Sequence, residues 1–207
     1  PDRGGSRLRR TGQMTGLRPP EGGTSRYRRG IEDPLGLLID AGAGQYGGEP
    51  ITQLEHALQC AALAQADGAD EPLVLAALFH DLGHLIHPDA ETASENGVDG
   101  RHERIGAKAL ERTFGPAVAD PVRRHVAAKR YLARVPAYCQ TLSTESAHTL
   151  KLQGGPMTSD EAAAFMAQPG AHEALRLRQW DDEAKVPDAR VPDAESYRAM
   201  VSRHRRA

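Results

Sequence analysis

An imidazole and a carboxylate stand side by side in an otherwise apolar run, His80 and Asp81 in LFHDLGHL. A carboxylate buried there without a partner costs several kcal/mol, so the stretch asks for a cation. Adjacent residues on a helix diverge by about 100°. Such a pair can serve one metal with its ring while the carboxylate reaches that metal and a second one beside it. His56, His102, His125 and Asp181 fall at further helical positions along the chain. Four imidazoles and two carboxylates suffice for two metals sharing a bridging carboxylate. A set without thiolate suits iron or manganese better than structural zinc. A lone histidine in mid-helix is ordinarily packed or solvated, but six candidates in this order around a His–Asp pair read as a metal centre. His87, His148, His172 and His204 read as structural or solvated. Asp182 is the rival of Asp181; it continues an acidic run that looks solvent-facing, so Asp181 is preferred.

Each of three candidate ligands has a polar companion one turn away. His84 is four residues after His80, Lys129 is four after His125, and Arg178 is three before Asp181. These spacings put both members of a pair on one helix face. A fixed positive charge beside a metal is repelled unless an anion lies between them. Lys129 and Arg178 therefore suggest a phosphate-like dianion, which arginine can grip with two parallel donors. Ser146 and Thr149, three apart, add hydroxyls that can donate to an oxyanion. In QYGGEP, Gly47 and Gly48 let a loop approach the site closely. There Glu49 could hold an ammonium group and Tyr46 could cover an open metal position.

The elements that must position these residues read as helices throughout. Thr52 with Glu55 three residues on forms a capping box before the His56 helix, and Gly68 closes it. The stretch 71–86 is apolar nearly all round and predicts one buried central helix. Further helices are expected over 101–114, 117–133, 142–152, 158–167, 170–184 and 193–205. Residues 87–100 are acidic and turn-rich and read as a loop, either a connector or a lid. Strand-like alternation is nearly absent, so the fold class is all-α. Residues 1–30, rich in Arg, Gly and Pro, read as a disordered tail before a single domain over 31–207.

The bulk numbers exclude some classes. Net charge over 207 residues is −2, which offers no global basic field for nucleic acid. No apolar run approaches a membrane span, and no secretory signal is evident. Two cysteines cannot build a disulfide framework, so a reduced cytoplasmic setting is the simpler reading.

Taken together, QYGGEPITQLEHALQ, LFHDLGHL, RHERIGAKAL, HVAAKRYL, LSTESAHTLKLQGGPM and RLRQWDD resemble a known family over about residues 45–200. It is the HD-domain mixed-valent di-iron oxygenases that cleave organophosphonates. The resemblance implies an HD-domain helical bundle enclosing two iron ions, Fe(II)/Fe(III). It implies ligation by His56, His80, Asp81, His102, His125 and Asp181, with Asp81 bridging. It also implies phosphonate contacts at His84, Lys129, Ser146, Thr149 and Arg178, a metal-covering tyrosine at Tyr46, and an amine contact at Glu49. The implied substrates are O2 and a 1-hydroxy-2-aminoethylphosphonate or its trimethylammonio analogue; the products are phosphate and glycine or a close relative. With few aromatic residues to cage a quaternary ammonium, a primary amine is the preferred end group. The rival readings are an HD-type phosphohydrolase of a nucleotide or phosphate ester, and a silent HD module that senses a ligand. Oligomeric state is left open by the sequence.

Overall fold

Capping chemistry sets where most helices begin. In the computed structural model, which describes residues 31–87, 93–94 and 96–206, Asp33 caps α1 (Pro34–Ala41) by accepting from Gly36 N. Thr52 accepts from Glu55 N while the Glu55 carboxylate accepts from Thr52 N, which starts α2 (Gln53–Ala66) with the expected capping box. Asp70 caps α3 (Glu71–Phe79) in the same manner. Such caps contribute about 1 kcal/mol each. The Arg-rich tail 1–30 and part of the acidic loop, 88–92 and 95, lie outside the described residues.

The expected single helix over 71–86 is two helices. α3 ends at Phe79, and α4 (Leu82–Ile86) begins after a turn at His80–Asp81, where Asp81 has φ −98° and ψ 9°. A continuous helix would splay the two side chains by about 100°. The turn instead brings Asp81 Oδ2 to 3.3 Å from His80 Nε2. The apolar sequence carries no Gly or Pro at this point to signal the break.

α5 (His102–Thr113) and α6 (Pro116–Leu132) form an antiparallel pair with close contact. A short turn of helix, α7 (Pro136–Cys139), follows; the sequence pattern does not announce it. Next come α8 (Thr144–Leu152), capped by Ser143, α9 (Ser159–Met166), with its own capping box from Thr158, and α10 (Ala171–Glu183). The chain closes with a 3-10 turn, Ala194–Tyr197, and α11 (Arg198–His204), where one helix over 193–205 was expected.

α3 is buried from Leu73 to Phe79 and forms the centre of the core, with α2, α5, α6 and α10 packed around it. Each fully buried Leu or Phe there contributes about 1.5–3 kcal/mol. A smaller apolar cluster, Ala128, Met157, Ala162, Phe165, Ala171 and Ala174, joins α6, α9 and α10. No strand forms among the described residues; one isolated bridge, Gln45 with Thr52, pins the glycine-rich loop against the start of α2. The fold class is all-α, as expected. No helix among the described residues is long and apolar enough to cross a membrane. Cys60 and Cys139 are free thiols.

Candidate metal centre

Six side chains from five places in the chain converge where α2, α3, α5, α6 and α10 meet. His56 comes from mid-α2, His80 and Asp81 from the α3–α4 turn, His102 from the first residue of α5, His125 from α6 and Asp181 from α10. His56, His80, His125 and Asp181 are almost completely buried.

The imidazoles meet nitrogen to nitrogen in two pairs. His56 Nε2 lies 3.2 Å from His80 Nε2, and His102 Nε2 lies 3.1 Å from His125 Nε2. The far nitrogens decide the tautomers. His56 Nδ1 is 2.8 Å from Ala184 O, His80 Nδ1 is 2.9 Å from Ala77 O, and His125 Nδ1 is 2.8 Å from Val122 O. A carbonyl can only accept, so these Nδ1 atoms carry the hydrogens and a neutral ring turns its Nε2 lone pair inward. Opposed lone pairs at this distance repel unless a cation lies among them. A first-row metal bonded at about 2.1 Å to two donors at near-right angles sets those donors about 3 Å apart. Both pairs have that spacing.

The carboxylates complete the pattern. Asp81 Oδ2 faces the first pair, 3.3 Å from His80 and 3.9 Å from His56. Its Oδ1 faces the second pair, 3.3 Å from His102 and 3.6 Å from His125. Asp181 Oδ1 lies 3.4 Å from His56 Nε2 and 3.9 Å from His80 Nε2. The donor set therefore fits two adjacent metal ions. His56, His80 and Asp181 face one such position, His102 and His125 the other, and the two oxygens of Asp81 face both.

The electrostatics agree. Burial works against a charge on His80, but Asp81 and Asp181 outweigh it and hold the ring's pKa up at about 9. Burial also opposes ionisation of Asp81, yet the facing His80 and His102 hold it well below the usual carboxylate range. Arg178 and His56 do the same for Asp181. Burial and the facing His102 push His125 the other way, well below the usual imidazole range, so a proton is favoured on His80 and disfavoured on His125.

Two backbone features aim the second pair. Arg101, immediately before His102, sits in the left-handed region at φ 50° and ψ 36°. For a residue with a Cβ this costs about 1–2 kcal/mol. Asp99 supports the turn by accepting from Arg101 N at 3.1 Å. Gly83 of α4 faces α5 so closely that a Cβ there would lie 2.0 Å from His102 O.

A cleft opens over the metal centre, lined by side chains from α6, α8 and α10 and by the loop around Tyr46. Tyr46 stacks on His56 with ring centroids 3.8 Å apart, and its hydroxyl is 3.5 Å from Asp181 Oδ1. His84 stacks on His102 at 4.1 Å, and burial beside His102 pushes its pKa down to about 3, so the ring is neutral. Lys129 is 3% exposed and donates to Thr149 Oγ1 at 2.9 Å. It makes no ion pair among the described residues, and burial, with Arg178 nearby, lowers its pKa to about 7. Ser146 and Glu49 also line the cleft.

Arg178 is placed in the cleft but is already engaged. Its Nη1 donates to Asp181 Oδ2 at 2.6 Å, its Nη2 to Asp182 Oδ1, and its Nε to Tyr138 Oη at 3.1 Å. Asp182 is therefore not part of a solvent-facing run, as its acidic neighbour suggested. It turns inward, binds Arg178 and accepts from the Tyr138 hydroxyl at 2.5 Å. Asp181 is the one of the two that faces the histidines.

Residues 54–163 match the HD domain. Over 182 residues the chain is 40% identical to a [1-hydroxy-2-(trimethylamino)ethyl]phosphonate dioxygenase (glycine-betaine-forming) of Leisingera caerulea, covering 86% of this chain and 93% of that one. Over 167 residues it is 44% identical to a hydroxymethylphosphonate dioxygenase of Gimesia maris, covering 80% and 83%. The chain belongs to the HD-domain phosphonate dioxygenases. It is also 35% identical over 170 residues to an uncharacterized protein of Acanthamoeba polyphaga mimivirus, covering 81% and 78%. As a dioxygenase the chain is an oxidoreductase, and this reading fits better than a phosphohydrolase.

Sequence reasoning passed over several residues of the dioxygenase site. Cys60 Sγ lies 3.7 Å from His56 Nε2; its position four residues after His56 was the available signal. Burial and the nearby Asp181 and Asp81 push the thiol's pKa well up, and its sulfur stands with His56 and His80 close enough to share a metal ion. Lys185 enters the cleft from beyond the end of α10, where no helical spacing points to it. Tyr138, from the unannounced α7, holds Arg178 and Asp182 together.

Proposed function

We propose that the chain cleaves the C–P bond of a 1-hydroxyphosphonate oxidatively, converting R–CH(OH)–PO3 and O2 to the carboxylic acid and phosphate. The preferred substrate is a 1-hydroxy-2-aminoethylphosphonate-type molecule, with glycine or a close relative as the acid. The observation that carries this reading is the pair of opposed imidazole couples facing Asp81, set beneath a cleft whose buried Lys129 has no carboxylate partner among the described residues. The names of the similar proteins support the reaction class.

In this reading His56, His80, Asp81, His102, His125 and Asp181 would hold two iron ions, with Asp81 placed to serve both. When bound, the Fe(II)/Fe(III) pair supplies O2 activation and the redox capacity that no side chain here has. The chain supplies position and charge. Lys129, Thr149, Ser146, His84 and Arg178 hold the phosphonate, which fixes the substrate's C1 over the metals. Lys129 and Arg178 then stabilise the charge that accumulates on the departing phosphate. Tyr46, stacked on His56, covers the metal position nearest Asp181 until substrate enters. Glu49 lines the cleft and accepts from a substrate ammonium. Tyr46 is the one non-histidine aromatic ring among the described residues lining the cleft, and its face is taken by His56. That leaves no cage for a quaternary ammonium and favours a primary amine.

The test is aerobic incubation of iron-loaded protein with a panel of 1-hydroxyphosphonates carrying hydrogen, aminomethyl or trimethylammoniomethyl at C1. Phosphate and the matching acid should appear in equal amounts with uptake of O2, fastest for the primary amine. Phosphate release that continues without O2 would establish hydrolysis instead.

A further inference from the structure

A phosphonate dianion needs two positive charges that are not already spent. Arg178 is bound by Asp181 and Asp182. Lys129 makes no ion pair among the described residues. We infer that Lys185, whose one ion pair among them is the long contact to Glu49, is the second cation free to turn to an anion and a further substrate-binding residue for the phosphonate; this rests on the reading of the cleft proposed above.

Lys185 Nζ lies 3.3 Å from Ser146 Oγ and 3.4 Å from Ser143 Oγ. Both contacts are long for an ammonium donor, so its three N–H groups keep donating capacity. Its carboxylate partner among the described residues is Glu49, an ion pair with Oε1 3.9 Å away, beyond hydrogen-bond length. Ser146 also receives Arg178 Nη2 at 3.4 Å, so its hydroxyl sits between Arg178 and Lys185. The side chain is 12% exposed, sheltered enough for its charge to act at short range with little screening.

The backbone around Lys185 is held on both sides. Ala184 O takes the His56 Nδ1 hydrogen. Val186 exchanges two hydrogen bonds with the Gln59 side chain, each 3.0 Å. Lys185 is thus fixed to the same helix, α2, that carries a metal ligand, and its reach into the cleft is set by that anchoring.

Inorganic phosphate, the expected product, is the probe. Its affinity for the iron-loaded full chain is measured by calorimetry, with iron content read in parallel. Lys185→Met should weaken phosphate binding on the order of tenfold to a hundredfold, the range for losing a charge-assisted hydrogen bond. Lys185→Arg should keep most of the affinity, and Lys151→Met, an exposed lysine on α8, should not change it. Should Lys185→Met not fold, Lys185→Gln is measured in its place. Unchanged phosphate affinity in the folded, iron-loaded variant overturns the assignment. If phosphate binding depends on Lys185 but no hydroxyphosphonate is turned over, the oxygenase reading fails and the anion site stands. Turnover with Lys185-independent phosphate binding sinks this inference alone.

Discussion

Replacing Gly83 with alanine perturbs the metal centre without touching a ligand. The added methyl would lie 2.0 Å from His102 O, 2.7 Å from its carbonyl carbon and 3.0 Å from its Cα. All three are backbone atoms, so no side chain can swing away. To restore ordinary contact at 3.4 Å, the start of α5 must retreat by about 1.4 Å. Metal–ligand bonds tolerate about 0.2 Å, so His102 leaves the reach of its metal. His56, His80 and Asp181 sit on other elements and keep theirs. Metal content should fall from two ions per chain towards one, measured by elemental analysis after loading with excess iron. Overpacking of this kind costs about 1–3 kcal/mol, which is roughly 2–12 °C in melting temperature for a chain of this size. Two metals per Gly83→Ala chain with unchanged melting would refute the claim that the α4–α5 approach sets the position of His102.

Asp81→Asn should strip both metals, because Asp81 reaches both histidine pairs, whereas Asp181→Asn should cost mainly one; metal stoichiometry of the two variants separates them. Lys129→Ala should raise KM for phosphonate while leaving iron near normal, and loss of iron in that variant would contradict its assigned role. With its pKa lowered to about 7, Lys129 loses its charge as pH rises through that value, so sulfate, a dianion throughout, should inhibit less above pH 7. Lys129→Arg should remove that pH dependence, since a guanidinium keeps its proton. Cys60→Ala should keep both metals, since His56, His80, Asp81 and Asp181 already face that position; a drop in metal content would show that sulfur is a ligand.

The convergence of the six candidate ligands was legible because burying polar groups in apolar helices is expensive, and six of them in one chain order imply a common purpose. His56, His80, Asp81, His102, His125 and Asp181 all face one point. The break at His80–Asp81 was not legible, because an all-round apolar run such as LVLAALF looks helical with or without a turn after it. The partners of Arg178 were only half legible. Asp181 and Asp182 stand at i+3 and i+4, both on its face, and the spacing cannot say that it binds both. Lys185 lies beyond the last turn of α10, where periodicity carries no directional information. Gly83 read as an ordinary spacer in LFHDLGHL, because the constraint on it comes from α5, about twenty residues away.

The hydrogen bond from His56 to Ala184 O ties together positions 128 residues apart. Most of the described chain lies between the first candidate ligand and the carbonyl that orients it. During synthesis, an ion at the position facing His56, His80 and Asp181 could be fully gripped only after α10 has left the ribosome. Once gripped, the ion closes a very long loop, and such a crosslink removes several kcal/mol of freedom from the unfolded chain. Chelation should therefore loosen the ends of the molecule together, the α2 region and the segment after α10, rather than only the residues that touch the ion.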